Sequence, residues 1–143
     1  MSKLLKRAKV QLSIAGECYK QFATDDAYID ACCYSLQQAI ELSLKYIVEI
    51  NGDDYAENHD IRANLNKLDR LGIIVPNLKT LRTMASTLYS WETESRYNDD
   101  FVALIDDIED AFKSATALVT FADSFTSQTD ISEIKEFPDS RLS

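Results

Sequence analysis

The chain carries one histidine, two prolines, three glycines and three cysteines in 143 residues. Each scarcity excludes something. With so few Gly and Pro there is little material for the tight turns that a strand-rich fold needs. Strand-like alternation is hard to find, and an all-α domain is expected. Cys18, Cys32 and Cys33 are odd in number and make no disulfide ladder. Adjacent Cys32 and Cys33 point about 100° apart on a helix, so they do not share a metal, and a single His leaves no zinc set. No metal and no cofactor is expected. No segment approaches the roughly 20 apolar residues of a membrane span, and the start has no long apolar core of a signal peptide. A soluble, cytoplasmic protein without membrane contact follows.

Positive charge is also scarce. Fifteen Lys and Arg stand against 24 Asp and Glu, a net charge of −9. Broad binding of DNA wants a basic stripe, which this balance opposes. The charge is uneven. Lys3, Lys6, Arg7 and Lys9 make the start basic. Glu92, Glu94, Asp99, Asp100, Asp106, Asp107, Glu109 and Asp110 make the later part acidic, with Arg96 the one cation among them. This acidic run is either a solvated face with good helix-start chemistry or a docking surface for a basic partner.

What is present is helical periodicity. A hydrophobic fraction of 45% supports a core without staples, and the length suits one domain. Leu5, Ala8, Leu12, Ala15, Tyr19 and Phe22 predict a first helix from Lys3 to about Phe22. Gly16 either weakens it or allows a close crossing. Asp25 or Asp26 can cap the next helix, Tyr28 to Asn51, which has the longest uninterrupted pattern and reads as the central pillar. Gly52 suits the position past its end. Asn58 can cap a third helix from about His59 to Leu71. Ile73-Ile74-Val75 reads as a buried connector, and Pro76 fits the first turn of a fourth helix reaching Trp91 or Glu94. A fifth begins near Asp100, with Asp99 as its simplest cap, and its apolar pattern ends at Phe125. The expected organisation is a bundle of four to five helices over 1–125 and a polar tail over 126–143, flexible or docked.

Four blocks in this pattern resemble the HEPN family. Gln37-Gln38-Ala39, with Glu41, Leu44 and Lys45, is similar to its QQAxExxLK signature. Tyr28 matches the aromatic that opens the family's second helix. Asn58-His59-Asp60-Ile61 resembles the T-H-D-L step into the third. Ser95-Arg96-Tyr97-Asn98-Asp99 resembles the T-R-Y-P-D step before the last long helix, with Asn98 in place of Pro. The resemblance runs from about Lys6 to Phe125. It implies an up-and-down helical bundle and a homodimer whose protomers face each other across a cleft. Many HEPN domains are metal-independent ribonucleases with an R-x4-6-H motif. Others lack it and bind nucleotides or proteins, some beside a minimal nucleotidyltransferase.

The ribonuclease pattern is incomplete here. After Arg96 the motif would place His among Phe101, Val102 and Ala103, and the one His is His59. The reading that follows is a non-catalytic, dimeric module binding a nucleotide or a partner protein, with a minimal nucleotidyltransferase in a toxin–antitoxin-like pair as one such partner. The alternatives are a ribonuclease with a divergent active site, acting on RNA, and a pure protein-interaction domain.

The residues that matter for each reading have two roles open. Arg96 either pairs with Glu92, Glu94 or Asp99, or grips a phosphate. Tyr97 seals the bundle or stacks on a base. Gln37 and Gln38 bond a neighbouring helix or line a cleft. Glu41 and Lys45 form a favourable i,i+4 pair, with a cleft role implied by the resemblance. His59 and Asp60 either pack a helix start or tune a polar pocket.

Overall fold

The computed structural model describes residues 2–136, with side chains described as far as Thr126. Five helices follow in order: α1 Leu4–Gln21, α2 Ala27–Ile50, α3 Ile61–Arg70, α4 Leu78–Tyr97 and α5 Ile105–Glu136. The all-α bundle expected from composition and periodicity is what forms. Its organiser is α2, which touches each of the other four helices. At about 1.5 Å per residue it is roughly 36 Å long. Its buried side chains include Cys32, Leu36, Ile40, Leu44 and Ile47 on one stripe, and also Cys33, Ala39 and Val48. A helix surrounded by neighbours buries more than one stripe.

The seam of α1 packs as its spacing predicts, with Leu5, Ala8 and Ala15 buried and Tyr19 against the core. Gly16 is not a close-approach position: a Cβ there would lie 3.8 Å from Phe112 Cζ, an ordinary contact. Asp25 supports the start of α2, its Oδ1 accepting from the Ala27 amide at 2.9 Å. Gly52 and Gly72 follow α2 and α3 with φ of +85° and +75°, the left-handed conformation that Gly adopts without a Cβ clash.

Several boundaries differ from the sequence expectation, each for a local reason. α3 starts at Ile61, because Asp60 and not Asn58 caps it, accepting from the Arg62 amide at 3.0 Å. Asn58 instead accepts from the Asp60 amide at 2.8 Å. The Ile73–Val75 connector forms neither helix nor strand and is buried only in part. Val75 is buried, whereas Ile74 is exposed. Asn77, left-handed at φ 57°, precedes α4, leaving Pro76 outside the helix.

α5 begins at Ile105, not near Asp100. Asn98 folds the chain back by accepting from the Asp100 amide through its side chain and from the Phe101 amide through its carbonyl. Asp99 therefore caps nothing. At its other end α5 continues past Phe125 to Glu136. The end of an apolar stripe marks the end of packing, whereas no Gly or Pro breaks the backbone before Pro138. The remainder of the predicted tail, 137–143, lies outside the described residues.

Candidate functional site

Along α2, residues 34, 37, 38, 41 and 45 share one side, since three- and four-residue steps return to the same face. That side looks toward the α2–α3 loop and the last turns of α4. Glu41 is the hub. It is 3% exposed, and its carboxylate receives three partners. Gln37 Nε2 donates to Oε1 at 2.9 Å, Lys45 Nζ donates to Oε2 at 3.2 Å, and His59 Nδ1 lies 2.8 Å from Oε1. Gln38 extends the chain by donating from Nε2 to Gln37 Oε1 at 2.7 Å. Lys45 also lies over the Tyr55 ring, 5.5 Å from its centroid. A buried carboxylate with this many donors is satisfied rather than stranded.

His59 links the hub to α4. Its other ring nitrogen, Nε2, lies 3.8 Å from Glu92 Oε1. The same oxygen accepts from Arg96 Nη2 at 2.8 Å. Arg96 Nε and Nη2 also donate to the Glu92 carbonyl, at 3.0 and 2.9 Å. The guanidinium also lies over the rings of Tyr34 and Tyr97, 4.5 and 4.9 Å from their centroids. Of the five N–H groups of Arg96, Nε and Nη2 account for three. The two on Nη1 have no partner among the described residues.

One connected network therefore joins seven of the nine residues singled out from the sequence: Gln37, Gln38, Glu41, Lys45, His59, Arg96 and Tyr97. Two stand apart. Asp60 turns to Arg62, whose Nη2 donates to it at 2.7 Å. That guanidinium holds the Asp60 carboxyl below the usual carboxylate range. Asp99 is exposed in the loop after α4. Glu92, Tyr34 and Tyr55 are the residues that sequence reasoning did not place in the site. Glu92 stood only as one of three possible partners for Arg96. Its position four before Arg96 was the available signal.

Among the described residues, no group of three His, Cys, Asp or Glu is placed to hold a metal ion. The three thiols are free and buried. Burial pushes the Cys32 thiol up to about 12 and raises Cys33 as well. No helix among the described residues is long and apolar enough to cross a membrane.

A family model described as the HEPN domain matches residues 1–125. The chain belongs to the HEPN family. Neither the curated proteins nor the solved structures contain a match to it. The HEPN match covers α1 to α4 and α5 as far as Phe125, so every member of the network falls within it. In this HEPN domain the QQAxExxLK-like block supplies the buried half of the network. The block around Arg96 supplies the exposed half.

Proposed function

We propose that this HEPN domain is a non-catalytic, dimeric binding module of the cytoplasm that takes a nucleotide at the edge formed by His59, Arg96, Tyr97 and Tyr34. The observation that carries this reading is the free Nη1 of Arg96. Nε and Nη2 are committed to Glu92, which fixes the guanidinium plane, while the outer N–H pair stays available to an anion. Tyr97 is 73% exposed beside it and offers a ring for a base. Nucleotide and RNA share this phosphate-plus-base chemistry. A partner protein, with a minimal nucleotidyltransferase as one candidate, would meet the same edge. Calorimetric titration with nucleotides tests the reading. Binding by the wild-type chain that disappears in Arg96→Ala is the expected result. No heat with any nucleotide would leave a protein partner as the ligand.

One observation favours a second reading. His59 and Arg96 approach the same carboxylate oxygen from different elements. An Arg to stabilise phosphate charge and a His to move protons are thus neighbours without the sequence motif. The first reading is preferred because His59 Nδ1 is committed to the buried Glu41 and Nε2 faces a second carboxylate. Cleavage of labelled RNA that is lost in both His59→Ala and Arg96→Ala would reverse that preference.

A further inference from the structure

His59 faces one carboxylate with each ring nitrogen. Nδ1 lies 2.8 Å from Glu41 Oε1, and Nε2 lies 3.8 Å from Glu92 Oε1. The first distance fixes the tautomer. An ionised carboxylate only accepts, so Nδ1 carries the hydrogen. The neutral ring then turns a bare lone pair on Nε2 toward a second acceptor. The 3.8 Å gap, too long for a hydrogen bond, is what two facing acceptors keep. A proton on Nε2 removes this mismatch, because it supplies the donor that Glu92 Oε1 lacks on that side. The His59 side chain is 54% exposed, so the proton comes directly from solvent.

The charged groups around the ring favour that proton. Glu41 on α2 and Glu92 on α4 meet the ring itself. Lys45 on α2 and Arg96 on α4 oppose it, but each meets a carboxylate and not the ring. Asp60, next in the chain, is turned to Arg62. We propose that the Arg96 site takes up a proton together with its anion, and that His59 is the positioning residue that carries it.

Glu92 Oε1 is the shared atom. It accepts from Arg96 Nη2 at 2.8 Å and faces His59 Nε2. While His59 is neutral, the Glu92 charge acts on Arg96 alone. Glu94, Asp99 and Asp100 flank Arg96 in the sequence, so a phosphate at Nη1 approaches a negative field. Once Nε2 is charged, Glu92 is shared by two cations and cancels less of the guanidinium. Anion and proton then tighten each other by the same factor, as linkage requires. The coupling rests on the nucleotide site proposed above and gives it a pH dependence: binding tightens as the pH falls through the range in which imidazole charges.

His59 is the one histidine of the chain, so nitrogen-15 NMR of its ring is unambiguous. The neutral ring should carry its hydrogen on Nδ1. A hydrogen on Nε2 instead would supply Glu92 with its donor already and overturn the proposal. At about pH 6.5, where an ordinary imidazole is half charged, Glu92→Gln should hold less imidazolium than wild type. An equal fraction would show that Glu92 does not draw the proton, which also overturns it. The decisive step adds AMP, ADP or ATP at fixed pH, with calorimetry reporting binding and NMR the charge of the ring. Saturation should raise the imidazolium fraction of wild type. A coupling of about fivefold charges roughly a third more of the molecules at the most sensitive pH. In Glu92→Gln the rise should be smaller. Binding heat with no change in the ring overturns the coupling and leaves the nucleotide site standing. No heat with any of the three nucleotides removes the site and the coupling together.

Discussion

The two halves of the polar network differ in what their charges have left to offer. Around Glu41 nothing is spare: the carboxylate is 3% exposed and has Gln37, Lys45 and His59 on it. Around Arg96 three donors are held by Glu92 and two remain, on a side chain that is 36% exposed. A group that is buried and saturated holds its neighbours in place. A group that is fixed on one edge and open on the other can bind. In this HEPN domain the QQAxExxLK-like block does the first job and the Arg96-Tyr97 corner the second.

The largest effect expected from breaking this contrast is on stability. Glu41→Ala strands Lys45, whose side chain is 12% exposed, together with the buried amide of Gln37. Removing one partner of a buried pair costs several kcal/mol; here, with Lys45 near the surface, about 3 kcal/mol is expected. Urea denaturation measures it. A loss below about 1 kcal/mol would mean that the hub is not structural.

A smaller effect probes the interior of the same helix. Burial raises the Cys32 thiol from 9.0 to about 12 and moves Cys33 the same way. A raised folded value means that the folded state keeps protons the unfolded state has lost. The stability this represents is fully present below pH 9.0 and is lost as the pH rises toward about 12. Each pH unit in that window removes up to about 1.4 kcal/mol per thiol. Thiolate absorbance of the folded chain should therefore appear only well above pH 9.0. Its appearance near that value would show the centre of α2 to be open.

Much of this contrast was legible in the sequence, and the illegible part has a physical cause. The three-and-four spacing of α2 placed Gln37, Glu41 and Lys45 on one side, and the i,i+4 rule joined Glu41 to Lys45. Nothing local joins His59 to Glu92, because that meeting depends on how α4 packs along α2. The start of α5 was misplaced because Asn98 and Asp99 have cap chemistry, and a polar side chain can serve a turn as well as a helix. The extension of α5 to Glu136 was hidden because apolar periodicity reports burial and is silent about helix beyond it.

The smallest expected change in stability is the one that sharpens the comparison most. Arg96→Gln removes the ion pair to Glu92 and the cation over the Tyr34 and Tyr97 rings, yet keeps a polar side chain. The pair reaches solvent on its Arg96 side, 36% exposed against 13% for Glu92, and ion pairs at the surface contribute about 0–1 kcal/mol. Urea midpoints of Arg96→Gln and wild type should nearly coincide, while nucleotide heat, present in wild type, falls away. The double variant Glu41→Ala with Arg96→Gln then separates the halves. Independent sites give additive losses to within about 0.5 kcal/mol, whereas a shared network gives a coupling larger than that. Among the described residues, His59 is the one side chain that pairs with both carboxylates, so a coupling carried by the polar network should be abolished by His59→Ala. A coupling that persists without His59 would show that the two halves communicate through the packing of α2 against α4 instead.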